Sequence, residues 1–323
     1  MELKTLTLNE FFENSREELE EKIKDMISDK YIITILSGGK RLRPLLAHLA
    51  FKACTKGNET SDQHQRALEG AVVIELAHAA SLVHDDIIDN DKKRRGKPSF
   101  HVKRGIANAI LTGHKMLSTG FNIALKHGQE FAKLYVDSWE EVVKGEIDEV
   151  NFNKNDAKNL DEITLKTQIF KIYEKIIDYK TAALFSSACK SGAIGANVSK
   201  DIIRVFSDYG REIGLAYQLA DDLVDLENGE MIDSVILPLL YHIINKNKAS
   251  KIKLLEKIEI KKQFKKNKQK IKDFYIEEIK KHIKNAKDLV KNEKIPNSPY
   301  KNFLDDAPSF IINRMLNEIK ITI

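Results

Sequence analysis

The sequence predicts an all-α fold, and three observations carry that expectation. Gly (15) and Pro (6) are scarce in a chain of 323 residues, whereas a strand-rich fold of this length needs many turns. Apolar residues recur at helical spacing through the long segments between the few breaks. Hydrophobic residues make up 42% and charged residues 31%, the balance of a globular protein with a substantial core.

The elements follow in order. Glu10 to Leu36 reads as helical and stops at Ser37-Gly38-Gly39. A short loop holds Lys40, Arg41 and Arg43, and Pro44 sits where a first helical turn tolerates it. Leu45 to Ala53 reads as the next helix. Ser61 to Val83 follows, and its stretch AVVIELAHAASLV is apolar nearly all round, the mark of a helix buried in the core. It runs into a burst of charge, HDDIIDNDKKRRGKP, closed by Gly96 and Pro98. Further helices are predicted over 104–127, 130–150, 162–192 and 199–226, with a break at Asn228-Gly229. Without a repeat or a low-complexity linker, residues 1–323 read as a single domain with a lysine-rich helical C-terminal part, about 246–323.

Composition excludes several classes. Cys54 and Cys189 are far apart and in no paired spacing, which argues against a disulfide framework or a zinc site and suits a reducing cytoplasm. The N-terminal stretch is acidic and lacks a signal-type apolar core, and no segment approaches the ~18 uninterrupted apolar residues of a membrane helix. The expectation is a soluble, cytoplasmic protein with no membrane span. The formal charge of +5 is concentrated between Lys246 and Lys294. That run could be a face for nucleic acid or an anionic membrane. Its helical apolar spacing favours the plainer reading, the solvated side of long amphipathic helices, so no nucleic-acid partner is expected.

The chemistry lies in two acidic strings. Asp85 and Asp89 stand one helical turn apart with Asp86 beside them, at the end of a core helix. Two carboxylates ~4 Å apart repel by about 4 kcal/mol at an effective dielectric of 20, so a cation is expected to neutralise them. Hard oxygen ligands without Cys or His in ligand spacing point to Mg²⁺. A single DDxxD string is weak, because acidic pairs on exposed helices are common. The string recurs, however, as Asp221-Asp222-Leu-Val-Asp225 at the end of another largely apolar helix. Two such clusters can hold several metal ions, and Mg²⁺ ions suit a diphosphate whose charge they neutralise and whose departure they assist.

Cations complete the pattern. Arg94-Arg95 follows the first string, and GGKRLRP, Gly38 to Pro44, puts three cations on a glycine-flanked turn. Guanidinium forks suit phosphate oxygens. A nucleotide-binding P-loop would need Gly where Thr34 stands and Ser or Thr where Arg41 stands, so that reading is rejected. Two phosphate-bearing ligands are implied, one held directly and one through Mg²⁺.

GGKRLRP, HDDIID…RRGKP, YKTA (Tyr179 to Ala182) and YQLADDLVD, in this order over residues 38–225, resemble the trans-isoprenyl diphosphate synthase (polyprenyl synthetase) family. SPYKNFLDDAPSFIINRML in the tail fits more loosely. The resemblance implies a bundle of antiparallel helices around a deep apolar cavity, usually a homodimer. It implies a Mg²⁺-dependent trans-prenyltransferase that condenses isopentenyl diphosphate with an allylic diphosphate, using two or three ions. By the same resemblance, Asp85, Asp86 and Asp89 hold Mg²⁺ on the allylic diphosphate. Asp221, and less directly Asp222 and Asp225, do so from the opposite wall. Arg94, Lys180, Thr181 and Gln218 would contact the allylic substrate, and Lys40, Arg43, His78 and Arg95 would hold isopentenyl diphosphate. His78 departs from the default of a lone core histidine only because it falls at the family's position, seven residues before Asp85; His84 keeps the default. In the family a bulky aromatic four or five residues before the first aspartate stops the product short. Here Ser81 and Ala80 stand there, with Ala77 a turn deeper, so a product of geranylgeranyl length or longer is expected.

One departure stands out. The family follows the second acidic motif with a loop bearing a lysine that touches the allylic diphosphate. Here the chain reads LENGEMIDSVILP, with Glu230 at the lysine's place and the loop shortened. Two other readings are weighed on such features. A non-catalytic partner or regulatory subunit of an active synthase fits the shortened loop but not the intact acids. A terpene cyclase has no need of GGKRLRP or Arg95.

Overall fold

The computed structural model describes residues 6–152, 169–229 and 257–323. Helices dominate, and strand pairing among the described residues is confined to one short hairpin. The chain separates into two compact units, each assembled from three stretches.

The first unit comprises Met1–Trp139, Leu184–Gly210 and Leu289–Ala307. Helix α1 (Leu8–Met26) starts on a capping box, in which the Thr7 hydroxyl accepts from the Glu10 amide and the Glu10 carboxylate accepts from the Thr7 amide. The single helix expected from 10 to 36 is instead two, because the Asp29 carboxylate accepts from the amides of Tyr31 and Ile32 and starts α2 (Lys30–Leu36) afresh. Helix α3 (Leu42–Thr55) follows the glycine turn. Helix α4 (Ser61–Ile88) is longer than the apolar pattern indicated and carries Asp85 and Asp86 within it. Its middle, from Ala67 to Val83, is buried on nearly every side, with Glu69, His78 and Leu82 half-buried, as a largely apolar core helix should be.

Strands β1 (Lys93–Arg94) and β2 (Lys97–Pro98) pair antiparallel across the two residues Arg95 and Gly96, both at positive φ (53° and 73°). This is the backbone of a type I′ turn, which twists correctly for a tight hairpin. Gly105 then separates α5 (Phe100–Arg104) from α6 (Ile106–Lys126), so the expected helix over 104–127 begins after that break. Helix α4 packs on α1, α3 and α6. Aromatic rings lie against glycines here: a Cβ on Gly113 would lie 2.2 Å from His84 Nε2, and one on Gly70 would lie 2.9 Å from Phe131. His84 thus behaves as a packed core residue, its ring edge-on to His114 and Trp139.

The second unit comprises Glu140–Ala183, Arg211–Asp288 and Pro308–Ile323. Helix α7 (Gln129–Asn151) gives it the residues from Glu140 onward. The helix expected over 162–192 begins outside the described residues. Its described part is α8 (Ile169–Ile177), a π-helical segment (Asp178–Ala182) and α9 (Ala183–Gly195), the last of which enters the first unit from Leu184. Helix α10 (Lys200–Asn228) supplies the second acidic string. Helix α11 (Lys257–Val290) kinks at Asn267 and bears much of the lysine-rich run; residues 246–256 of that run lie outside the described residues. Helix α12 (Pro299–Leu316) and a short 3₁₀ turn close the chain, whose end is pinned by Asn313 hydrogen bonds to the Ile323 backbone. Phe170 meets Phe274 edge-on at 5.3 Å, joining α8 to α11.

Candidate active site

The glycine turn between α2 and α3 is built around a buried ion pair. Arg41 sits at φ 56° as the N-cap of α3 and is only 2% exposed. Its Nη1 donates to Glu75 of α4 at 2.7 Å and its Nε to Glu20 of α1 at 2.7 Å. A Cβ on Gly39 would lie 2.5 Å from Arg41 Nη1, 3.2 Å from Glu75 Oε1 and 3.3 Å from Arg95 Nη2, so only glycine lets these groups converge. Arg16 of α1 holds the turn from outside, donating to the carbonyls of Gly39 and Lys40 at 3.3 and 2.7 Å. Of the three cations that sequence placed on this turn, Arg41 is therefore part of the frame. Lys40 is exposed and Arg43 half-buried.

Around that frame the structure gathers three of the four residues expected at one phosphate. Arg43 Nη1 lies 3.0 Å from His78 Nε2, and its guanidinium lies 4.4 Å from the centre of the Phe185 ring. Arg95 Nη1 donates to the Ser37 carbonyl at 2.9 Å. Arginine can only donate, so His78 Nε2 accepts and the ring proton sits on Nδ1. Burial, then the charges of Arg43, Arg95, Arg94 and Arg41, hold the His78 imidazole well below its ordinary pKa, which keeps it neutral. The left-handed conformations of Arg41 and Arg95 are costly for residues other than glycine, and strain of this kind concentrates at functional sites.

The first acidic string caps this region. Asp85 is half-buried and Asp89 exposed, one turn apart, with Asp89 as the C-cap of α4 in right-handed helical conformation (φ −83°, ψ −6°). Asp86 turns inward and is 3% exposed; its Oδ1 accepts from Arg94 Nε at 2.6 Å. Burial raises the Asp86 pKa, and Arg94 opposes the shift. The same hairpin thus aims its two arginines apart: Arg94 serves the acidic string and Arg95 the glycine turn.

In the second unit a relay fixes the other string. Thr181 Oγ1 donates to Gln218 Oε1 at 2.6 Å, and Gln218 Nε2 donates to Asp222 Oδ1 at 2.8 Å. Tyr173 donates to the other Asp222 oxygen. Asp222 is 2% exposed, and burial pushes its pKa up to about 7 against the hydrogen bonds of Tyr173 and Gln218. Asp221 and Asp225 flank it, half-buried and one turn apart on α10. Lys180 lies in the π-helical segment, paired with Glu146 at 2.9 Å and Glu149 at 2.5 Å. That segment approaches α7 closely: a Cβ on Gly145 would lie 2.5 Å from the Lys180 amide nitrogen. π-Bulges inside helices occur often at functional sites. Arg211 braces it, bonded to Asp178 at 2.7 Å and Glu141 at 2.6 Å.

The donor set suits Mg²⁺. Asp85 and Asp89, and separately Asp221 and Asp225, offer hard oxygens one turn apart without thiolate or imidazole among them. Asp86 and Asp222 already serve protein donors. Sequence reasoning missed the frame residues Arg16, Glu20 and Glu75, and Tyr173, which donates to Asp222. Glu75 carried a usable signal, a lone acid inside AVVIELAHAA, since a carboxylate at the heart of an apolar helix needs a buried partner. Glu230 and the loop after it lie outside the described residues.

The chain is 34% identical to the short chain isoprenyl diphosphate synthase of Methanothermobacter thermautotrophicus, over 69% of this chain and 66% of that protein. It is 32% identical to the geranylgeranyl diphosphate synthase of Methanosarcina mazei, over 64% of this chain and 60% of that protein. The chain thus spans somewhat under two thirds of the length of these curated relatives. Its structure matches that of geranylgeranyl pyrophosphate synthetase from Pyrococcus horikoshii with a TM-score of 0.75 at 27% identity, covering 95% of this chain and 99% of that one. The all-α expectation is met. The family model described as polyprenyl synthetase matches residues 24–275, well over half of the sequence, and the chain belongs to the polyprenyl synthetase family.

Proposed function

We propose that residues 1–323 form a single polyprenyl synthase domain, a Mg²⁺-dependent trans-prenyltransferase. It joins isopentenyl diphosphate head to tail to an allylic diphosphate and makes an all-trans product of geranylgeranyl length or longer. The observation that carries the reading is the cradle of Arg43, neutral His78 and Arg95 around the Gly38–Gly39 turn, 3.0 Å between the first two, at the acidic end of α4. A cyclase has no use for a second diphosphate, whereas the cations of this cradle suit one.

When bound, two or three Mg²⁺ ions would neutralise the leaving diphosphate. Asp85, Asp89 and Asp221 carry the oxygens to hold them, with Asp222 and Asp225 in support. Arg94 keeps Asp86 in place, and the Thr181–Gln218–Asp222 relay orients the second string. Arg43, Arg95 and Lys40 bind the diphosphate of isopentenyl diphosphate, while neutral His78 adds a hydrogen bond without more positive charge. Lys180 reaches the allylic diphosphate by exchanging a glutamate for phosphate oxygens. The double bond of isopentenyl diphosphate then attacks the allylic carbon as the C–O bond of the allylic diphosphate breaks. A proton leaves to the departing diphosphate. Water must be excluded from the cation formed on the way, and the apolar α4 stripe beneath Asp85 provides that lining.

Purified protein with labelled isopentenyl diphosphate, an allylic primer and Mg²⁺ tests the reading. Incorporation into product of twenty carbons or more is expected, and none with any allylic primer would overturn it. No described helix is long and apolar enough to cross a membrane, and both cysteines are free and buried, which supports a cytoplasmic setting. Homodimerisation has support in α6, where Ile106, Ile110, Leu111 and Leu125 are exposed, Leu111 at 65%. Leu111→Glu should then sediment as a monomer, and an unchanged sedimentation coefficient would remove this surface from consideration.

A further inference from the structure

A second cluster of ligand-type side chains lies in the first unit, apart from both acidic strings. Glu18 of α1, His48 of α3 and His64 of α4 bring one donor atom each within 4.8 Å of one another. His64 Nε2 stands 3.4 Å from Glu18 Oε2, close to the edge of a tetrahedron of ligands ~2 Å from a central ion. The His48 and His64 ring centres are 5.4 Å apart.

His48 is the independent observation. It is 4% exposed, wedged between Phe11 and Phe51, and neither ring nitrogen has a hydrogen-bond partner. Buried polar atoms are nearly always satisfied, and a ring whose lone pair meets no donor calls for an acceptor's complement, a cation. Glu59 Oε1 lies 3.8 Å from His64 Nδ1, on the side of the ring away from Glu18. Glu59 is itself anchored by Lys52 and by Thr55 at 2.9 Å. At 3.8 Å Glu59 and His64 are not hydrogen-bonded and His64 Nδ1 has no partner, so a small approach to Glu59 on metal binding would fix the tautomer that turns Nε2 to the ion.

We propose that Glu18, His48 and His64 bind a divalent transition ion of the Zn²⁺ type. Two imidazoles and a carboxylate form a borderline N₂O set, which Zn²⁺ accepts and Mg²⁺ disfavours. Glu18 is exposed and can swing in to complete the site, leaving a fourth position to water. The ion ties α1 to α3 and α4. Because α1 also carries Arg16, which grips the Gly39 and Lys40 carbonyls, the site steadies the frame of the glycine turn from a distance. The inference is independent of the proposed reaction.

The test uses the full chain, stripped with chelator and returned to buffer with excess Mg²⁺ so that the aspartate strings are filled. Zn²⁺ is titrated calorimetrically, and Co²⁺ is used as a spectroscopic probe. The wild type should take up one Zn²⁺ per chain and give the visible absorption of low-coordinate, nitrogen-ligated Co²⁺. Glu18→Gln and His64→Gln should each weaken Zn²⁺ binding at least ~tenfold, with the Co²⁺ bands lost in His64→Gln. Zn²⁺ should also raise the unfolding midpoint of the wild type more than that of Glu18→Gln. The exposed position of Glu18 keeps this variant folded, so the test does not depend on the buried His48. Equal binding by wild type and both variants, no Zn²⁺ uptake in the presence of Mg²⁺, or uptake abolished instead by Asp85→Asn would each overturn the proposal.

Discussion

Replacing Glu75 by Gln should destabilise the first unit although Glu75 touches no substrate. Glu75 Oε1 is 2.7 Å from Arg41 Nη1, and the two side chains are 4% and 1% exposed. Removing one partner of such a buried pair strands the other charge and typically costs about 3–5 kcal/mol. Glu20 stays 2.7 Å from Arg41 Nε, with its own side chain 37% exposed, so the lower end, about 3 kcal/mol, is expected for Glu75→Gln. Glu20→Gln, solvent-screened, should cost about 1 kcal/mol or less. The joint change Arg41→Met with Glu75→Met should recover most of the loss, because an apolar pair of similar volume avoids desolvating two ions. The assay is urea denaturation followed by the fluorescence of the sole tryptophan, Trp139, which packs 6.2 Å from His84 within the same unit. A Glu75→Gln curve within about 1 kcal/mol of wild type, the range of exposed pairs, would refute the assignment of Arg41 to the frame. So would a Glu20→Gln loss as large as that of Glu75→Gln.

The remaining predictions concern the reaction. Asp85→Asn and Asp221→Asn should each lower turnover by roughly 10²–10³ or more with circular dichroism unchanged; near-normal turnover in either would end the two-string mechanism. Arg95→Ala should mainly raise KM for isopentenyl diphosphate, and Lys180→Ala should mainly impair the allylic substrate, each by roughly ten- to a hundredfold for one lost charged hydrogen-bond partner. Equal effects on both substrates would show the division of the site to be wrong. Ser81→Phe should shorten the products and Phe131→Ala lengthen them, read by chromatography of the dephosphorylated alcohols.

The legible part of this chain was what local chemistry dictates. An apolar run such as AVVIELAHAASLV can only be a buried helix, and two acidic strings on helix ends declare themselves by spacing. Boundaries set by a single side chain were harder. Asp29 splits the first helix because its carboxylate caps two amides, and within a helical pattern an aspartate is as readily an exposed residue. The roles within GGKRLRP were less legible still. Arg41 and Arg43 have the same side chain two positions apart, and only the positions of Glu20 and Glu75 on two other helices make one of them structural. The same holds for His48 and His64. Their spacing in sequence resembles no metal motif, and the cysteine count pointed away from zinc, since the ligands come together only when three helices pack.

Product length illustrates how packing sorts neighbouring residues. Ala80 and Ser81 are adjacent and both buried, at 0% and 8% exposure, yet helical geometry gives them different faces. Ala80 lies one turn before His84, on the stripe where the His84 ring rests against Gly113 of α6. Ser81 lies one turn before Asp85 and donates to the His78 carbonyl at 2.9 Å, on the stripe that leads down from the diphosphate end. A ring at Ala80 therefore meets α6 and should act chiefly on stability, overpacking the core by ~1–3 kcal/mol. A ring at Ser81 should stand in the path of the growing chain. Deeper along the same stripe come Ala77, Ile74 and Gly70. Gly70 is fifteen residues from Asp85, about 22 Å along the helix, and there the Phe131 ring takes the place a Cβ would fill. A chain that followed this stripe would pass the small side chains of Ser81 and Ala77 and meet that aromatic from α7 as its floor. Its position below Ala77, not at Ser81, is what puts the expected product at geranylgeranyl length or beyond. If Ser81→Phe and Ala80→Phe shorten products equally, or Phe131→Ala leaves the distribution unchanged, the stripe does not guide the chain.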